Sequence, residues 1–256
     1  LRFSERQALL EAQALVDKIE SLTAEKRQEY LESLSPQQQI YFKRTFWGVK
    51  REACVNSLEF FAKYVRTRDE HQSGKLSIRA FPTRVEKPYV WAYLDMLQEE
   101  NLVAVEKSRQ LMFTWATCLY LYWRAKYVEN RLIFIQSKKE EDAANLVFNK
   151  EPFGARIAFM EYSLPDELKT IDWNRNASYG QLVFPDTYSK IWGVPEGGDI
   201  IRSYVASIVF SDEFAFQPEA ESAYKALRPT ISGGGQFIAV STARAGAFMR
   251  RLISQI

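Results

Sequence analysis

Two periodicities divide the chain. Leu9, Ala12, Val16 and Ile19 recur at helical spacing after Ser4, which predicts an amphipathic helix with Ser4 as its N-cap. A second helix is predicted from Thr23. A third starts at Ser35, where Pro36 and Gln38 complete a capping box, and Ile40, Phe46, Val49, Leu58, Phe61 and Val65 continue it as one long or broken helix. Thr67 to Ser77 then turn polar around Gly74. A boundary is expected there, separating a helical N-terminal region, 1–75, from a core, 76–256.

Beyond that point, short β-rich runs alternate with helical ones. Leu102–Val105, Arg131–Ile135, Gln181–Phe184, Lys190–Val194, Ser207–Phe210 and Gln236–Val240 read as strands. Helices are predicted over Thr114–Tyr127, Glu140–Phe148 and Phe248–Ile256. This alternation implies an α/β fold with a mostly parallel sheet flanked by helices. Such sheets bind ligands beyond the carboxyl ends of their strands, so the residues after each strand are where chemistry belongs.

Composition narrows the functions open to such a fold. With 46% apolar residues in 256, the chain buries a large core and is not a disordered tail. A formal charge of +2 excludes a wholly basic nucleic-acid binder. The charge is uneven, however. No acidic residue follows Glu221, whereas Lys225, Arg228, Arg244, Arg250 and Arg251 do, so the C-terminal end is expected to face an anion unless the asymmetry is chance. Cys54 and Cys118 form no metal spacing, and a reducing compartment is expected. His71 is the only histidine, which removes Ser-His-Asp and multi-His metal chemistry. No signal peptide is expected, and the apolar stretch Leu111–Trp123 is too short to span a bilayer.

Three strand ends carry candidate chemistry. The first continues as Glu106-Lys107-Ser108-Arg109-Gln110-Leu111-Met112-Phe113-Thr114-Trp115. A phosphate-binding loop needs backbone N–H groups at a helix N-terminus, a cation and a hydroxyl. Thr114 keeps the hydroxyl, Met112 and Phe113 stand where Gly-Lys is usual, and Lys107 and Arg109 put cations at the front. An ordinary strand–turn–helix fits the same residues. The second end is Ser211-Asp212-Glu213-Phe214-Ala215-Phe216, which suits a Walker B element with Asp212 toward magnesium and Glu213 toward a water, or else two solvated acids. The third, Ser241-Thr242-Ala243, suits a γ-phosphate sensor or a helix cap. Their joint order points to a nucleotide hydrolase.

These segments resemble the ATPase domain of the large terminases of tailed bacteriophages, an ASCE-type P-loop NTPase. Lys107-Ser108-Arg109-Gln110 with Thr114-Trp115 resembles the family's deviant phosphate loop. Ile135-Gln136-Ser137-Lys138 with Glu140–Ala143 resembles the segment after its second strand. Gly197-Gly198-Asp199-Ile200-Ile201-Arg202-Ser203 and Ser211–Phe216 resemble the approach to its Walker B and the Walker B itself, and Ser241-Thr242-Ala243 its coupling motif. The match spans Leu76 to the end. Two departures stand out: the missing Gly-Lys, and Val90 where the family's adenine-side motif has Gln after Pro-Tyr, here Pro88-Tyr89.

The resemblance implies ATP and Mg²⁺ as cofactors and a role for each residue. Lys107 would contact phosphates within a loop running from Lys107 to Trp115, Arg109 would be a second phosphate contact or a conformational switch, and Phe81 or Tyr89 would lie near the base or in the core. Thr114 and Asp212 would hold Mg²⁺. Glu213 would orient the attacking water, and Arg202 would be an arginine finger reaching a neighbouring subunit or else a surface residue. Ser241, Thr242 and Ala243 would couple hydrolysis to movement. Implied partners are double-stranded DNA, a portal protein, a small terminase subunit and further copies in a ring, commonly a pentamer. The implied place is the host cytoplasm, docked on a procapsid. Family members usually continue into a nuclease domain; no three-carboxylate nuclease constellation is visible, and DNA cleavage is not expected of this chain. A helicase-like translocase and a nucleotide-binding scaffold without turnover are the rival readings.

Overall fold

The computed structural model describes residues 3–69, 77–197 and 199–254. His71, Gly74, the boundary drawn at 75/76, Gly198 and the last two residues of the expected C-terminal helix lie outside the described residues, as do the side chains of Ser4, Leu9 and Asp199. The chain divides into two compact units, Leu1–Phe61 with Asp166–Leu168, and Ala62–Pro165 with Lys169–Ile256.

The first unit is helical: α1 Phe3–Glu20, α2 Ala24–Ser33, α3 Pro36–Asn56, and α4 Leu58–Ala62, which ends one residue past the division. Ser4 lies inside α1 rather than ahead of it. Val16 and Ile19 of α1 are buried, and α1 packs on α3. Thr23 caps α2, its hydroxyl accepting from the Lys26 N–H. The capping box forms: the Ser35 N–H donates to Gln38 Oε1 at 2.9 Å and the Gln38 N–H to Ser35 Oγ at 3.4 Å. The apolar run beyond it is a broken helix. Ser57 turns extended and its hydroxyl accepts from the Phe60 N–H, which restarts the chain as α4.

In the second unit β1 Arg66–Arg68 pairs antiparallel with β2 Ile78–Ala80, so this hairpin belongs with the core and the division falls before it. Then come α5 Pro88–Glu99, β3 Leu102–Lys107, α6 Phe113–Tyr127, β4 Leu132–Ser137, α7 Glu140–Val147, α8 Arg156–Tyr162, β5 Ala177–Ser178, β6 Gln181–Phe184, β7 Ser189–Pro195, α9 Asp199–Arg202, β8 Ile208–Asp212, α10 Ala220–Ser232, β9 Gln236–Thr242 and α11 Phe248–Ile253. The sheet order is β3-β9-β8-β4-β7-β6-β5. The first five strands run parallel; β6 and β5 add antiparallel. The strand pattern does not announce that reversal, but Pro185–Tyr188 is too short to hold a crossover helix, so β6 and β7 can only form a hairpin.

Alternate residues of the strands face opposite layers. Phe134, Val209, Phe237 and Ala239 share one core with Leu227 of α10 and Met249 and Leu252 of α11. Ile133, Ile135, Phe210 and Ile238 alternate with them and are also buried. Most of α6 is buried, as an internal helix apolar all round must be. The three motif-bearing strands are neighbours, β9 lying between β3 and β8, and all end at one edge. This is a mainly parallel sheet flanked by helices, the α/β class that the alternation of strands and helices implies. No helix among the described residues is long and apolar enough to cross a membrane.

Candidate active site

The loop between β3 and α6, Ser108 to Met112, bends without glycine. Gln110 (φ 65°) and Met112 (φ 63°) both adopt the left-handed conformation that ordinarily selects Gly. Such positions cost on the order of 1–3 kcal/mol each and persist where the surroundings hold them. Here Lys87 donates to Met112 Sδ at 3.1 Å, and Phe113 packs on Tyr93 at 4.6 Å and nearly parallel to Tyr89 at 6.3 Å. The two residues that replace Gly-Lys therefore dock the loop on α5. The following helix starts with no side-chain cap, so its first-turn N–H groups stay available to an anion.

Across from this turn stand the acids. Thr114 Oγ1 donates to Asp212 Oδ1 at 3.1 Å. Glu213 also takes the left-handed conformation, φ 48°, and turns its carboxylate back over the neighbouring strands. Lys107 Nζ bonds its Oε1 at 3.1 Å; the Thr242 N–H (3.1 Å) and Thr242 Oγ1 (3.0 Å) bond its Oε2, with Ser241 Oγ 3.2 Å away. Lys107 and Thr242 are register partners on β3 and β9, which brings both to one carboxylate.

The two acids are pushed apart electrostatically. Burial, with the adjacent Glu213 charge, raises Asp212 to about 6, against the pull of Arg156, Thr114 and Lys107. Burial would raise Glu213 too, but the Thr242 N–H and the Lys107 ammonium outweigh it and hold Glu213 below its ordinary value. One carboxyl is thus ready to gain from a cation while the other stays ionised, the divergence that separates acid and base roles.

Two cavities of about 510 Å³ meet at Asp212 and Glu213. The first lies among the loop, the β1–β2 hairpin and Arg156; the second opens toward Arg109, Lys138, Phe216 and Thr242. Arg109 lines the second cavity, whereas Lys107, Gln110, Leu111, Met112, Phe113, Thr114 and Trp115 line the first. Trp115 is buried edge-on to Phe159 and lies under the Arg156 guanidinium, so it serves as a platform. Ser108 and Ala243 flank the site without lining either cavity.

Other expected residues sit elsewhere. Phe81 is buried edge-on to Trp91, 5.9 Å between rings, and belongs to the core; Tyr89 stacks on Phe113 from outside. Thr67, Arg68, Asp69 and Arg79 of the hairpin line the first cavity. Arg202 ends α9, exposed and outside both cavities. Of the C-terminal cations, Lys225 and Arg251 both pair with Glu221, and Arg244 lies over the Phe216 ring, so much of that charge is engaged locally. Lys87 and Arg156 carry no mark in the sequence because neither follows a strand.

No family model and no curated protein matches the chain. The fold is similar to a solved phage ATPase domain. The large terminase ATPase domain of Thermus phage P74-26 aligns over 62% of this chain and 66% of that one, with 14% identity and a TM-score of 0.45. An arginine-to-alanine variant of the same domain aligns over 59% and 62%, with 16% identity and a TM-score of 0.42. The chain thus spans less than two thirds of either.

Proposed function

We propose that this chain is an ATPase that drives double-stranded DNA into a viral procapsid, the motor portion of a large terminase. The observation that carries nucleotide hydrolysis is the Thr114–Asp212 contact beside the uncapped start of α6. A loop hydroxyl and a strand-end aspartate are the pair that holds Mg²⁺ in P-loop NTPases. Mg²⁺ takes one or two carboxylates plus substrate phosphates rather than an all-protein cage. The residues fit that habit. Asp212 is an acid whose charged form a cation would restore, and no cluster of three His, Cys, Asp or Glu suited to a metal occurs among the described residues. When bound with ATP, the ion neutralises charge on the transferring phosphate.

The chain's own residues then divide the work. The first-turn N–H groups of α6 and Lys107 bind phosphates. Glu213, kept ionised, orients the attacking water. Lys107 leaves Glu213 for the incoming phosphate, so the carboxylate is held by Thr242 and Ser241, and the change passes through Ser241, whose hydroxyl accepts from the Ala215 N–H at 3.1 Å. A small terminase subunit, a portal and a ring of copies, commonly five, working in the host cytoplasm complete this reading.

ATP hydrolysis measured with and without double-stranded DNA tests it. Turnover that rises with duplex is expected. Turnover answering only to single strands would replace this reading with a helicase-like one, and none under any condition would end it. Because Arg202 lies outside both cavities of its own subunit, any role at nucleotide belongs to the next subunit. Arg202→Ala mixed into wild-type protein should therefore depress turnover more steeply than its mole fraction; a strictly proportional loss removes the finger.

A further inference from the structure

The cations around the first cavity differ in what they already hold. Lys107 is bonded to Glu213, Lys87 to Met112, Arg79 to Asp69, and Arg68 donates to the Phe153 carbonyl. Arg156 has no such engagement. Its side chain makes no hydrogen bond and no ion pair with any described residue, and its Nε is buried without a partner. A guanidinium is always charged and carries its donors in a planar fork suited to phosphate. Leaving the buried Nε of that fork without a partner is costly unless something else takes it up.

The side chain is also held in position. Its guanidinium lies 5.5 Å from the Trp115 ring, in the first turn of α6. Below it, α8 is pinned to α6 by the buried Lys126–Glu161 pair at 2.8 Å. Arg156 borders both cavities, and its charge is the largest influence drawing Asp212 downward, so it stands at the acid end of the site. Meanwhile the loop offers no lysine at its Gly-Lys position.

We infer that Arg156 binds the phosphate chain of the nucleotide in its own subunit, supplying from α8 the positive charge that this loop lacks ahead of Thr114. This rests on the reading of the site as a nucleotide pocket and extends it. The Trp115 stack and the empty fork together select a polyanion rather than a carboxylate side chain of the same unit, since Asp212 and Glu213 stand close by and neither takes it.

Equilibrium binding of adenosine, AMP, ADP and ATP with Mg²⁺ to wild type, Arg156→Gln and Arg156→Lys tests the inference. Arg156→Gln should weaken ATP roughly 10- to 100-fold, the scale of lost charge-assisted hydrogen bonds, with a smaller loss for ADP and little for adenosine. Arg156→Lys keeps the charge without the fork and should recover part of the loss. Should Arg156→Gln fail to fold, Arg156→Lys alone decides, with ATP weakened several-fold and adenosine unchanged. Equal losses for all four ligands, or unchanged ATP affinity in folded protein, overturn the inference. Wild type that binds none of them overturns the nucleotide reading itself, which is a separate outcome.

Discussion

Replacing Glu213 with glutamine is expected to leave ATP bound and nearly stop its hydrolysis. The amide keeps the side chain's shape and an acceptor for the Thr242 N–H, but it has neither the charge that Lys107 pairs with nor the basicity to polarise a water. General-base contributions are typically 10²–10⁴-fold, so turnover should fall by about that factor. Affinity for ATP should hold or improve, because one negative charge leaves the phosphate site and Lys107 is freed. The pH dependence carries a sign. Glu213 is held below its ordinary range, so it is already ionised at neutral pH, and wild-type turnover should gain nothing from its deprotonation between pH 7 and 8. Phosphate release and equilibrium ATP binding, measured on protein whose melting is checked, read both effects. A Glu213→Gln protein that hydrolyses ATP within a few-fold of wild type would falsify the role given to this residue.

Why that carboxylate could be singled out from sequence, and its partners only in part, has a physical basis. Strands β8 and β9 are buried in the sheet and β3 is half-buried at its edge, and each reads as a short apolar run that ends in polar residues, and the ends are where chemistry collects. Their order along the chain was therefore legible, as was the capping box at Ser35, which is a purely local device. The neighbourhood of β3 and β9 was not, because register between distant strands leaves no local mark. Arg156 was invisible for a related reason. It opens a seven-residue helix after an irregular stretch, and only the packing of α8 on α6 brings it over Trp115. The left-handed turns at Gln110 and Met112 were hidden because neither residue advertises positive φ as glycine does; the contacts with Lys87 and α5 impose it. The C-terminal surplus of cations was legible as a count, but not that Glu221 takes two of them.

The second large effect concerns stability, and it acts on the site from behind. Glu161→Gln should destabilise the second unit by about 3–5 kcal/mol, the usual result of leaving one partner of a buried ion pair without the other. Lys126 and Glu161 are each about 1% exposed at the side chain, and the carboxylate also accepts from Tyr122, the Thr170 N–H at 2.5 Å and the Ile171 N–H at 2.9 Å. Burial alone would raise its pKa, but Lys126 and these donors outweigh burial and hold it below its ordinary value of 4.5. A depressed carboxylate stabilises the fold above its unfolded pKa and loses that contribution as pH falls through its folded one. The gap between wild type and Glu161→Gln should accordingly be full at pH 7 and shrink below roughly pH 4.5. At 2–4 °C per kcal/mol for a unit of this size, melting at pH 7 should drop by roughly 10 °C. The double variant Lys126→Met with Glu161→Leu should recover much of that, since it buries no charge, with a residual deficit because the Thr170 and Ile171 N–H groups lose their acceptor. The pair joins the last turns of α6 and α8, whose first turns carry Thr114 and Arg156. Loosening it should therefore weaken ATP binding at temperatures where the protein is still folded. A Glu161→Gln protein that melts within 2 °C of wild type at pH 7, or a gap that does not narrow in acid, would contradict the pinning role.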